Sequence, residues 1–125
     1  MKKQISTETV PPPAGAYSTG IVANGMLYCA GQGPFDATGA RVGDTFEEQV
    51  RITLRNLADV AEAAGTSLAH AVRFGVFLSD IENFDALNAV MREFVPEPFP
   101  ARTTIQAPLK GFDVEIDAVI LVPEG

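Results

Sequence analysis

Val114-Glu115-Ile116-Asp117-Ala118-Val119-Ile120-Leu121-Val122 reads as a β-strand with two unlike faces. Successive side chains on a strand point to opposite sides of its sheet. Val114, Ile116, Ala118, Ile120 and Val122 therefore form one apolar stripe, while the other side carries Glu115, Asp117, Val119 and Leu121. The stripe calls for a layer of helices. The second side mixes carboxylates with large apolar groups and needs a cover of its own.

Working upstream, the helices are legible. Phe46, Val50, Leu54, Leu57, Ala61 and Ala64 recur at steps of three and four, the period of one buried helix face. Thr45 with Glu48 forms a capping box, and Gly65 sits where a left-handed C-terminal cap belongs. A second helix is expected over about Phe84–Phe94, with Phe84, Leu87, Met91 and Phe94 inward, Asn83 as its cap, and Pro96, Pro98 and Pro100 ending it. Between the helices, Ala71–Leu78 is apolar on both parities, as a central strand covered on both faces would be. Ser18–Val22 and Met26–Ala30 read as strands joined through Asn24-Gly25, a tight hairpin signal. Thr9–Ala16 is a stiff extended arm, Gly31–Gly43 a loop, and Arg102–Ala107 a further strand.

The order is β-β-α-β-α-β-β: one α+β domain over residues 1–125, with two helices on one face of a mixed sheet. Two helices cover only one side. Val119, Leu121 and the second face of Ala71–Leu78 are thus expected to be buried against another copy of the chain, which predicts a homo-oligomer.

Composition narrows the function. Nine Lys and Arg against sixteen Asp and Glu give a net charge of −7, which opposes binding to nucleic acid. One cysteine and one histidine provide neither a disulfide nor a Cys/His zinc site, and no carboxylate cluster has metal-ligand spacing, so no protein-held transition metal is expected. No apolar run is long enough to span a membrane, and the first residues do not read as a signal peptide, which gives a cytoplasmic expectation.

Arg102 follows Pro98-Phe99-Pro100-Ala101 at the opening of a strand, where a pre-positioned guanidinium suits bidentate binding of a carboxylate. The competing reading is a rim salt bridge. Glu115, on the face assigned to an interface, would trade protons near neutrality if burial raised its pKa; alternatively it pairs with an arginine across that interface. Asp117 is expected to face solvent at the sheet end. Gly31-Gln32-Gly33-Pro34 offers backbone N–H groups to an anion or serves as an ordinary turn. Tyr17 supplies a phenolic hydroxyl or simple packing, Cys29 belongs to the core, and His70 is exposed.

Together these segments resemble the RidA/YjgF family of enamine/imine deaminases along essentially the whole chain. The resemblance is carried by Pro13-Ala14-Gly15-Ala16-Tyr17-Ser18, Tyr28-Cys29-Ala30-Gly31-Gln32-Gly33-Pro34 and Glu62-Ala63-Ala64-Gly65. It continues through Val76-Phe77-Leu78-Ser79-Asp80, Phe84–Phe94 with Asn88, Pro100-Ala101-Arg102-Thr103-Thr104 and Val114-Glu115-Ile116-Asp117-Ala118. It implies a chorismate-mutase-like fold, a homotrimer whose sheets close a barrel, and active sites between subunits. It further implies that Arg102 holds the substrate carboxylate, Glu115 manages protons, and Tyr17, Gly31, Asn88 and Thr104 line the cleft.

The implied reaction is cofactor-free hydrolysis of a 2-imino or enamine acid to the 2-keto acid and ammonia. Thr104 stands where the best-known members carry cysteine, Ala30 replaces a common serine, and Gly33 replaces a bulky apolar residue, which is expected to open the pocket. These departures keep two alternatives in view. One is a pathway-specific deaminase of a larger, aminomuconate- or aminoacrylate-like substrate. The other is a trimer that binds 2-keto acids without turnover, in the manner of a chaperone-like module.

Overall fold

The computed structural model describes residues 1–124. Its strands are β1 (Lys3–Ile5), β2 (Gly20–Ala23), β3 (Met26–Gln32), β4 (Ala71–Leu78), β5 (Ala101–Gln106) and β6 (Val114–Leu121); its α-helices are α1 (Phe46–Ala63) and α2 (Phe84–Phe94). They form a six-stranded sheet in the order β1-β2-β3-β6-β4-β5. Only β4 and β5 pair in parallel, so the sheet is mixed as expected.

The two-faced strand lies in the middle. Val114, Ile116, Ala118 and Ile120 are buried together with Leu54, Leu57 and Val60 of α1 and Leu87, Val90 and Met91 of α2. Phe74, Val76 and Leu78 of β4 join the same core. Burying side chains of this size is worth roughly 1.5–3 kcal/mol each, and it is this layer that fixes the register of the sheet. On the opposite face Tyr28 remains 49% exposed, Ile105 47% and Leu121 43%. The side for which the sequence supplies no helix is open in the single chain.

Local chemistry sets the ends of the elements. Asn24 and Gly25 both take positive φ in the hairpin turn between β2 and β3, and Gly65 does so after α1. The Thr45 hydroxyl accepts from the Glu48 N–H, while the reciprocal arm of the box reaches Asp44, whose N–H donates to Glu48 Oε2 at 2.9 Å.

Several expectations are corrected. The N-terminus adds a short strand, β1, whose Ile5 is buried against the core. Asn83 makes no side-chain cap for α2; a 3₁₀ turn over Ile81–Asn83 leads into the helix, and Asp80 caps that turn by accepting from Glu82 N–H. Phe84 is turned outward, at 38% exposure. Gly31 belongs to β3 beyond an irregularity after Cys29, so the loop begins two residues later than expected. Asp117 sits within the sheet opposite Gly75, whose N–H donates to Asp117 Oδ1 at 3.1 Å. A side chain at Gly75 would collide with that carboxylate, so glycine is what lets the two strands keep the charge between them.

Leu54 is fully buried between α1 and the sheet. Leu54→Ala is expected to lower unfolding free energy by about 2–5 kcal/mol, read from urea or thermal denaturation. A change below about 0.5 kcal/mol would contradict this placement of the core.

Candidate functional site

The sequence-derived site residues fall into two groups on opposite faces of the sheet. Arg102 lies on β5 in register with Phe74, and therefore on the helix side. Its Cζ stands 5.1 Å from the centre of the Phe84 ring, a cation–π contact that explains why Phe84 leaves the core. Arg102, Asn88, Met91, Arg92, Phe74, Phe99 and Pro100 line a cavity of about 250 Å³. Burial first, and then the like charge of Arg92, hold the Arg102 guanidinium below its ordinary range. Thr104 follows on the same side of β5 but does not line the cavity, and its buried Oγ1 has no hydrogen-bond partner.

Glu115, Gly31 and Tyr17 form the second group. They line a cavity of about 380 Å³ with the proline arm (Pro11, Pro12, Pro13), Gln32, Gly33 and Phe35. A Cβ on Gly31 would lie 2.8 Å from Glu115 Oε2, so the absence of a side chain there is what allows the carboxyl to rest against the β3 backbone. The Tyr17 hydroxyl accepts from Ala14 N–H at 3.1 Å and holds the arm folded. Burial first, and then the negative charge of Asp117, push the Glu115 carboxyl above the usual glutamate range. Gly33 does not open the pocket as its size suggested. The Phe35 ring occupies the space a Cβ would take, with its Cε2 at 2.8 Å, and packs edge-on against Phe112 at 5.0 Å.

The structure thus joins Arg102 to Asn88, and Glu115 to Gly31 and Tyr17, but keeps the two groups apart. Strand β4 runs between β5 and β6, and Glu115 aligns with Phe77 where Arg102 aligns with Phe74. Two strand spacings and three residues of rise separate the two backbones by roughly 14 Å, with the side chains on opposite faces. Within one chain the two groups line separate cavities.

Sequence reasoning missed Arg92 and Phe99 as cavity residues. Arg92 follows Asn88 by four positions on α2, so helical spacing alone would have placed it beside its neighbour. Cys29 is buried and its thiol is pushed up to about 12, as a core residue rather than a nucleophile. His70 is exposed in the 3₁₀ turn before β4. Among the described residues no group of His, Cys, Asp and Glu has the arrangement of a metal site, and no helix is long and apolar enough to cross a membrane.

This fold is that of the RidA-type α+β proteins. Residues 7–122 match the model of the endoribonuclease L-PSP family, and the chain belongs to that family, also known as YjgF/RidA. It is 41% identical over 110 residues to the mitochondrial protein mmf2 of Schizosaccharomyces pombe, covering 84% of this chain and 86% of that one. It is 32% identical over 125 residues to the 2-iminobutanoate/2-iminopropanoate deaminase of Dermatophagoides farinae, covering 97% of each. Among solved structures, E. coli TdcF with bound serine superposes at a TM-score of 0.86 with 28% identity, over 95% of this chain and 98% of that one.

Asp117→Asn removes the like charge while keeping an acceptor for Gly75 N–H. The Glu115 titration, followed by carboxyl NMR, is expected to move down but stay above the unperturbed value, because burial remains. A raised folded pKa means that the native state holds its proton longer than the unfolded chain. The Glu115 contribution therefore favours folding below the unfolded pKa near 4.5 and declines as pH rises through the folded value, a decline the variant should reduce. An unchanged Glu115 titration in Asp117→Asn would contradict the coupling.

Proposed function

We propose that the chain is a hydrolytic deaminase of 2-imino acids, acting at sites assembled between subunits of a homotrimer. The observation that carries this reading is the division of the site. A carboxylate-binding arginine and a proton-managing glutamate occupy opposite faces of one sheet, while an apolar face beside the glutamate lies open. In this reading a neighbouring copy covers that face over Tyr28, Ile105 and Leu121, and one chain's Arg102 cavity meets another's Glu115 cavity across the subunit boundary. The family and the named deaminase relative support the chemistry.

In this account Arg102 takes the substrate carboxylate in a two-point grip, which sets the adjacent imine carbon beside a water held at Glu115. The water oxygen adds to that carbon while the ionised Glu115 accepts its proton. That proton passes to the nitrogen to give a carbinolamine, whose hydroxyl proton Glu115 then relays to the same nitrogen as the C–N bond breaks, so that ammonia leaves and the keto acid remains. A glutamate with a raised pKa exchanges protons nearer neutrality than an ordinary one, which suits both steps. The imine is already electrophilic, so the reaction calls for no cofactor.

A second reading has its own support in the serine-bound TdcF structure: a trimer that holds small carboxylates without turnover. RNA cleavage is disfavoured by the net charge of −7. The cytoplasmic location expected from the sequence is likewise a proposal, set beside a relative named as mitochondrial.

Imino acids generated in place by an amino-acid oxidase, with survivors trapped by semicarbazide, provide the assay. Wild type is expected to accelerate their decay, and Arg102→Ala to lose at least about 100-fold in kcat/KM with its oligomer intact. Undiminished activity in Arg102→Ala would overturn the assignment, and keto-acid binding without hydrolysis would establish the second reading.

A further inference from the structure

Arg92 has no task in the reaction just described, yet it lines the same cavity as Arg102. It comes from a different element, the last turn of α2, one helical turn beyond Asn88. The chain carries only nine Lys and Arg against sixteen Asp and Glu, and two of the nine share this cavity, whose lining includes no acidic residue. Neither guanidinium forms an ion pair with a described residue. The acid next to Arg92 in sequence, Glu93, is taken: both its oxygens accept from Arg51 at 3.0 Å. The two cations share the cavity without a counter-charge: the remaining walls are Phe74, Met91, Phe99, Pro100 and the neutral amide of Asn88, with Arg92 reaching the exposed mouth and Arg102 half-buried behind it. The arrangement is relieved by a ligand with two negative charges.

We propose that this cavity selects a short dicarboxylic acid, Arg102 holding the carboxylate beside the reacting carbon and Arg92 the distal one. The substrate class is then a dicarboxylic 2-imino acid. Arg92 is a specificity residue and plays no part in proton transfer. The turnover part of this inference rests on the deaminase reading; the binding part does not.

The test compares 2-iminoglutarate with 2-iminopentanoate, which share a five-carbon backbone and differ by the distal carboxylate. Each is made in place by a glutamate or general amino-acid oxidase and trapped with semicarbazide. The expected result is a kcat/KM ratio favouring the dicarboxylate by about tenfold or more in wild type, falling about tenfold in Arg92→Gln and largely restored in Arg92→Lys. A merely structural role for Arg92 would change both substrates alike and leave the ratio where it was, which would overturn the proposal.

Calorimetry with 2-oxoglutarate and 2-oxopentanoate separates the two readings. Absence of hydrolysis with both imino acids would remove the deaminase reading alone, provided that 2-oxoglutarate still binds about tenfold tighter and that the preference depends on Arg92. Equal affinities for the two keto acids would overturn the dicarboxylate proposal whether or not the enzyme turns over.

Discussion

Strand β6 runs between β3 and β4, and the side on which each of its residues falls decides both the core and the site. Val114, Ile116, Ala118 and Ile120 lie under the helices, and their burial locks the register. That same register commits Glu115 and Asp117 to the opposite face, where α1 and α2 cannot reach them. A slip of one residue would drive two carboxylates into the core, so the position of the candidate acid/base is secured by hydrophobic packing elsewhere. Gly31 and Gly75 then supply the room: each leaves out a side chain at the point where a β6 carboxylate crosses the neighbouring strand.

The parts of this architecture written in periodicity were legible beforehand. The spacing from Phe46 to Ala61, the alternation from Val114 to Val122 and the Asn24-Gly25 turn each express a local rule that the tertiary structure reinforces. The exceptions arise where a distant partner overrides the local pattern. Lys3–Ile5 is too short to announce a strand and becomes one by pairing with β2. Phe84 fits the apolar period of α2 but is drawn to the Arg102 guanidinium from β5. Gly33 promised an empty space, and Phe35, two residues away, fills it.

The candidate residues were found by their chemistry, yet their division between two cavities was not foreseeable from the chain. Whether Arg102 and Glu115 share a face depends on the order β6-β4-β5 and on the register of a parallel pair, neither of which is encoded in any one motif. Charge is organised on the same plan. The acidic surplus is spread over the surface, the arginines Arg92 and Arg102 meet at one cavity, and two carboxylates meet on the open face. Family membership accounts for the shared fold, and the side chains that line these two cavities are this chain's own.

The central claim is that Arg102 of one subunit works with Glu115 of another, and subunit mixing tests it most directly. Arg102→Ala and Glu115→Gln, each expected to be inactive alone, would be unfolded together and refolded at equal ratio. Random assortment gives about one site in four an intact arginine from one parent and an intact glutamate from the other, so activity should return to about a quarter of wild type per site. Mixtures that stay as inactive as either parent, despite mixed oligomers detected by mass spectrometry, would contradict a site shared between subunits.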